Sequence, residues 1–149
     1  MQETISTLNS LIATCRDGEQ GFRNAAEQLR DATVKATFND FARERGSFAD
    51  ELKHEVHRLG GVPDEGGSVS GALHRGWMDV KGAVTGPDDE ALISEAERGE
   101  DVAVATYQQA LKQNLSTETR ALVERQYTRV KQAHDRVRTL RDARKSTHA

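Results

Sequence analysis

Residues 93–111 read ISEAERGEDVAVATYQQAL. Within them Ile93, Glu97, Glu100, Val104, Tyr107 and Leu111 follow one another at alternating four- and three-residue steps, so a helix carries all six on one face. Two of the six are acids on a stripe that should be apolar. A carboxylate turned into a helix bundle must be neutralised, paired with a cation or bound to a metal, because an isolated buried charge is costly. The spacing makes the stretch helical and places the functional question at Glu97 and Glu100.

The same periodicity extends outward. A first helix from about Thr4 to Arg30 has Ile5, Leu8, Ile12, Cys15, Phe22, Ala26 and Leu29 as its inner stripe, with Glu19 in phase. Asp31 is placed to cap a second helix, from about Thr33 to Leu59, so the connection is short and the two helices are antiparallel neighbours. The second stripe is Val34, Phe38, Phe41, Phe48, Leu52 and Val56, interrupted by Arg45. Gly60-Gly61 and Pro63 end it. A glycine-rich crossover over about 60–87 follows, with a short helix marked by Leu73, Trp77, Val80 and Val84 that should cover the bundle. Its His74 lies one residue off the apolar edge and reads as solvent-exposed or hydrogen-bonded rather than as a ligand.

Asp88 and Asp89 open the third helix, where the dipole favours acids, and it runs to about Asn114. Ser116 or Thr117 caps a fourth, with Val123, Gln126, Val130, Ala133, Val137 and Leu140 inside and Tyr127 and His134 on the edge. Counting outward from each turn sets Glu19 level with Glu44 and Arg45, Glu97 with His134, and Glu100 with Val130 and Lys131. Gly18, Gly46 and Gly99 each stand beside one of the central polar residues, which suggests close helix approach there.

Composition narrows the partners. A length of 149 residues suits one domain spanning 1–149, and two prolines with 5% aromatics argue against a β-rich fold. A net charge of −3 gives no reason to expect nucleic acid or an anionic membrane, and the basic tail from Arg136 to Lys145 reads as the solvated face of the last helix. No apolar run approaches the ~20 residues of a membrane span, which points to the cytoplasm. The partner that remains to be expected is a second copy of the chain, as a dimer. Cys15 is the only cysteine and falls in phase with the core, so it reads as a small buried residue. Nucleophile elbows, phosphate-binding glycine loops and His-Glu-x-x-His zinc motifs are all absent, which sets aside hydrolase and nucleotide-binding functions.

An offset of 80 or 81 residues aligns Gly18-Glu19-Gln20 with Gly99-Glu100-Asp101, Glu44-Arg45 with Glu124-Arg125, and His54 with His134. The chain thus reads as two related helical hairpins joined by a long crossover, an all-α antiparallel four-helix bundle with inward-facing Glu and His. With the strings GALHRGWMD, ERGED and VERQY followed by AHDRVR, it resembles a bacterial family of uncharacterised ferritin-like proteins, and more distantly rubrerythrin. The resemblance implies a ferritin-like fold; the closer family brings no established reaction with it.

Carried over position by position, the rubrerythrin likeness makes Glu19 the first-helix acid and Glu97-x-x-Glu100 the paired acids of the third helix. Glu51-x-x-His54 has the right spelling in helix 2 but lies about two turns from the level of Glu19, while Glu44 has the better level but Ser47 where the His belongs. In helix 4 Lys131 replaces the carboxylate that should precede His134. Two readings follow. In one, Glu19, Glu97, Glu100 and His134, with Glu44 or Glu51, bind iron or manganese, zinc also being compatible, and serve a stress-related role. In the other the bundle is a non-catalytic structural or interaction module, with Arg45 paired to Glu19, Lys131 to Glu100, and no metal.

Overall fold

The computed structural model describes residues 1–64 and 88–148. Every regular element among them is a helix: α1 (Gln2–Gln28), α2 (Ala32–Arg58), α3 (Asp89–Leu111) and α4 (Thr117–His148). The expected helix bounds hold to within a few residues at each end. The short helix expected around Trp77, and His74 with it, lies outside the described residues.

Local chemistry sets the ends. Asp31 Oδ1 accepts from the amides of Thr33 (2.9 Å) and Val34 (3.1 Å), Asp88 accepts from Ala91 N (2.8 Å), and Ser116 Oγ accepts from Thr119 N (3.3 Å), each using amides that a helix start leaves unpaired. At the end of α2, Gly60 takes φ +82°, and the amides of Gly60 and Gly61 return to the carbonyls of His57 and Val56. This is a Schellman stop, and a side chain at position 60 would be strained in it.

The Gly61 end of α2 packs beside Ile5 at the start of α1, whereas α3 begins against the α1–α2 turn through Asp89. The chain therefore leaves α2 at one end of the bundle and enters α3 at the other. α1 and α4 run one way, α2 and α3 the other, and every neighbouring pair is antiparallel. Broad packing joins α1 to α2, α3 to α4 and α1 to α3. The α2 and α4 backbones approach at few points, and side chains span that seam: Arg125 to Glu51, Arg129 to Glu44 and Thr119 to Glu55.

Two apolar clusters form the core. One contains Leu8, Leu11, Ile12, Phe48, Leu52, Val56, Ala103, Val123 and Val130; the other, at the α1–α2 turn end, contains Phe22, Leu29, Val34, Phe38, Leu92, Ile93, Ala96 and Val137. On α2, Ala42 belongs to one and Phe48 to the other, with Arg45 between them. On α3 the buried surface is wider than the stripe at 93, 97, 100 and 107, because Leu92, Ala96, Gly99, Ala103 and Ala110 are also buried while Val104 and Leu111 are partly exposed. No described helix is long and apolar enough to cross a membrane.

Candidate functional site

Arg45 and Glu100 meet where the two apolar clusters abut. Arg45 is 1% exposed and Glu100 0%, and Nη2 of Arg45 donates to Oε2 of Glu100 at 2.5 Å. The guanidinium also lies over the Phe22 ring at 5.5 Å from its centroid, and that ring is held edge-on by Phe38 and Phe41. Burial pushes the Arg45 guanidinium down, but the Glu100 carboxylate more than reverses this and leaves it above its ordinary value. Gly18 makes the arrangement possible: a Cβ there would stand 2.9 Å from Arg45 Nη1. Gly46 does the same for Glu19, whose Oε2 would lie 2.5 Å from an added Cβ.

A second set of polar groups lies about two helical turns further along α3. Tyr107 Oη donates to Gln126 Oε1 at 2.8 Å and lies 3.1 Å from the Cys15 sulfur, and Gln126 Nε2 donates to Phe48 O (3.3 Å) and Glu51 Oε1 (3.0 Å). Since the phenol hydrogen is committed to Gln126, the thiol is the donor to Tyr107. Burial pushes the Cys15 thiol up to about 11, and burial with Cys15 alongside holds the Tyr107 phenol well above its ordinary value. Such a cysteine is a hydrogen-bonding core residue, inert as a nucleophile.

A pH dependence follows. The thiol has a value of 9.0 in the exposed state and about 11 in the folded one, so the unfolded chain binds fewer protons between those limits. This contribution to stability is fully present below pH 9 and is lost as pH rises toward 11, amounting to about 3 kcal/mol over two units. Urea melts at a series of alkaline pH values should show the fall, and Cys15→Ala should make it shallower, leaving the part that Tyr107 contributes above pH 10. A slope unchanged in Cys15→Ala would exclude this origin.

Each remaining candidate has its own partner. Glu19, with its side chain 20% exposed, accepts from Arg16 (3.1 Å) and Arg23 (3.3 Å) on its own helix. Glu44 pairs with Arg129 (2.8 Å), Glu51 with Arg125 (2.8 Å), and Glu97 with Arg141 (2.5 Å). The buried His134 places Nε2 2.6 Å from Asp101 and Nδ1 3.1 Å from Asp135, while His54 is exposed. The expected pairings are therefore exchanged. Arg45 holds Glu100 in place of Glu19, because Glu19 already has two arginines one turn away on α1. Lys131 pairs with Asp135 one turn along α4 (2.9 Å), leaving Glu100 to Arg45. His134 meets Asp101 rather than Glu97.

Among the described residues no three His, Cys, Asp or Glu side chains gather closely enough to hold one metal ion. With Glu100 on Arg45 and Glu97 on Arg141, the inward-facing acids already have cations, and the donor set does not fit an iron or manganese centre. The tail also departs from expectation: Arg141 reaches Glu97, and Arg144 reaches Asp31 (3.2 Å) and Asp89 (3.3 Å), so this part of α4 is not merely a solvated face. The basic residues at Arg16 and Arg23, one turn either side of Glu19, were the available signal for its partners.

A family model described as Domain of unknown function (DUF2383) matches residues 3–113. The chain belongs to this family. Among curated proteins no sequence match is found. The DUF2383 bundle is similar in structure to the bacterioferritin-related protein of Bacteroides fragilis, described as a dodecameric thioferritin: TM-score 0.78 at 16% identity, covering 99% of this chain and 89% of that one. It is also similar to a conserved hypothetical protein from Mycobacterium tuberculosis, with TM-score 0.75, 11% identity and coverage of 94% and 91%. A two-domain protein from Anabaena variabilis, with DJ-1/ThiJ/PfpI-like and ferritin-like domains, matches at TM-score 0.76 and 20% identity. That match covers 95% of this chain but only 39% of the Anabaena chain. At such identities the likeness establishes the ferritin-like fold alone.

Proposed function

We propose that this chain is a ferritin-like bundle that carries its own central cation, and that it acts as a non-catalytic structural or interaction module. The observation that carries this reading is the buried contact of Arg45 with Glu100 at 2.5 Å. A divalent metal at Glu100 would have to approach a guanidinium that is fixed against Phe22 and cannot lose its charge. The commitment of Glu97 to Arg141, Glu44 to Arg129 and Glu51 to Arg125 supports the same reading, since binding a metal would require several ion pairs to break together.

The test is metal titration. Protein purified without added metal, then incubated anaerobically with ferrous iron or manganese and desalted, is expected to retain only substoichiometric metal. Glu100→Ala should leave that residual amount unchanged. Stoichiometric retention that is abolished in Glu100→Ala would overturn the proposal and establish a metal-binding bundle.

A further inference from the structure

Arg45 and Glu100 are joined by one leg only. In the common paired geometry a guanidinium and a carboxylate share two parallel hydrogen bonds. Here Nη2 donates to Oε2 at 2.5 Å, while Arg45 Nη1 and Glu100 Oε1 are both buried and have no protein partner. Each is the twin of an atom in the contact, so both lie beside it. One is an obligate donor and the other an acceptor. A buried polar atom left without a partner loses its full desolvation free energy, and more so when it belongs to a charged group.

Packing closes one face of the pair. The guanidinium rests over Phe22, which Phe38 and Phe41 hold in place, and Nη1 faces the bare backbone of Gly18. What fits is a small molecule that accepts from Nη1 and donates to Oε1. Water does both, and buried waters characteristically satisfy two to four such groups in folded proteins.

We infer that the bundle centre is a binding site for one ordered water, bridging Arg45 Nη1 to Glu100 Oε1. The inference rests on the reading of Arg45 as the central cation. With this molecule in place the centre is a three-member unit of guanidinium, water and carboxylate. Gly18 is then required for more than close packing: a side chain at that position would press on Nη1, the water's donor.

A crystal structure of the full chain, at a resolution that shows ordered solvent, tests this directly. The expected result is one oxygen-sized peak within hydrogen-bonding distance of both atoms. A direct two-legged Arg45–Glu100 contact with no peak overturns the water site and leaves the internal-cation reading intact. A peak with anomalous signal at the iron or manganese edge overturns both. In solution, oxygen-17 relaxation dispersion should lose the contribution of one long-lived water in the Arg45→Met/Glu100→Leu double variant relative to the parent chain. An unchanged dispersion would also overturn the inference.

Discussion

Glu100→Ala is expected to destabilise the fold by about 3–5 kcal/mol, because it strands the Arg45 guanidinium in the core without its carboxylate. Arg45 is 1% exposed, so a water in the space left by Glu100 would supply an acceptor but not the lost counter-charge. Arg45→Met should also be costly, though less so, since a lone buried carboxyl can take up a proton. The double variant Arg45→Met/Glu100→Leu removes both charges and fills their volume, and its stability should return to within about 1 kcal/mol of the parent chain or exceed it. Glu19→Ala is the contrast. Glu19 stands in the pseudo-equivalent position of the first hairpin, but its pairs with Arg16 and Arg23 are partly exposed, and its loss should cost under about 1 kcal/mol. Urea denaturation of the four variants measures the set. A Glu100→Ala cost no larger than that of Glu19→Ala would show that the central pair does not have the strength its burial implies.

The difference between Glu19 and Glu100 also shows where the sequence stops being informative. Three/four spacing identifies four helices, and Asp31, Asp88, Ser116 and Gly60 mark most of their ends, because caps and amphipathic stripes are local properties of the chain. Spacing also identifies Glu97, Glu100 and Arg45 as inward-facing polar residues. It does not identify their partners. Counting from a turn gives the level of a residue along the bundle axis, and at one level a side chain has two neighbouring helices to choose between. Arg45 passes over Glu19 of its own hairpin and crosses to α3, since a long guanidinium reaches across the bundle while Glu19 is satisfied from its own helix. Lys131 goes to Asp135 for the same reason: a partner one turn away on an exposed face competes well with one that would have to be buried.

The repeat adds a reason for the asymmetry between the hairpins. Glu19 aligns with Glu100 and Arg45 with Arg125, yet only one acid and one arginine, drawn from different halves, enter the core. Arg125 stays outside on Glu51, which in turn accepts from Gln126 and connects the surface to Tyr107 and Cys15. Burying both sets would place four charges in one layer, and the desolvation cost of the second pair would add to that of the first. Of these four residues Arg45 and Glu100 form the buried pair, Glu19 stays with two arginines of α1, and Arg125 joins Glu51 across the α2–α4 seam.

In the sequence Asp89 is a first-turn acid of α3; in the structure its carboxylate reaches beyond its own helix, and this predicts the second large effect. Its carboxylate accepts from the amides of Arg30 (2.9 Å) and Asp31 (2.8 Å), 59 and 58 residues away, and from Arg144 near the end of α4. It thereby ties the α1–α2 turn to the point where the chain enters the second hairpin. Asp89→Ala leaves two amides at a part-buried turn without acceptors and removes one of the two carboxylates that hold Arg144, with an expected cost of about 2–4 kcal/mol. Asp89→Asn keeps one acceptor and presents an NH2 group to the other amide, so about half of that loss should remain. Asp88→Ala, one residue earlier, removes only a helix cap and should cost about 1 kcal/mol. Hydrogen exchange at Arg30 and Asp31 separates this mechanism from general destabilisation: both amides should lose protection in Asp89→Ala and keep it in Asp88→Ala. Equal costs for the two alanine variants, with protection at Arg30 and Asp31 unchanged, would show that Asp89 acts on its own helix and does not join the hairpins.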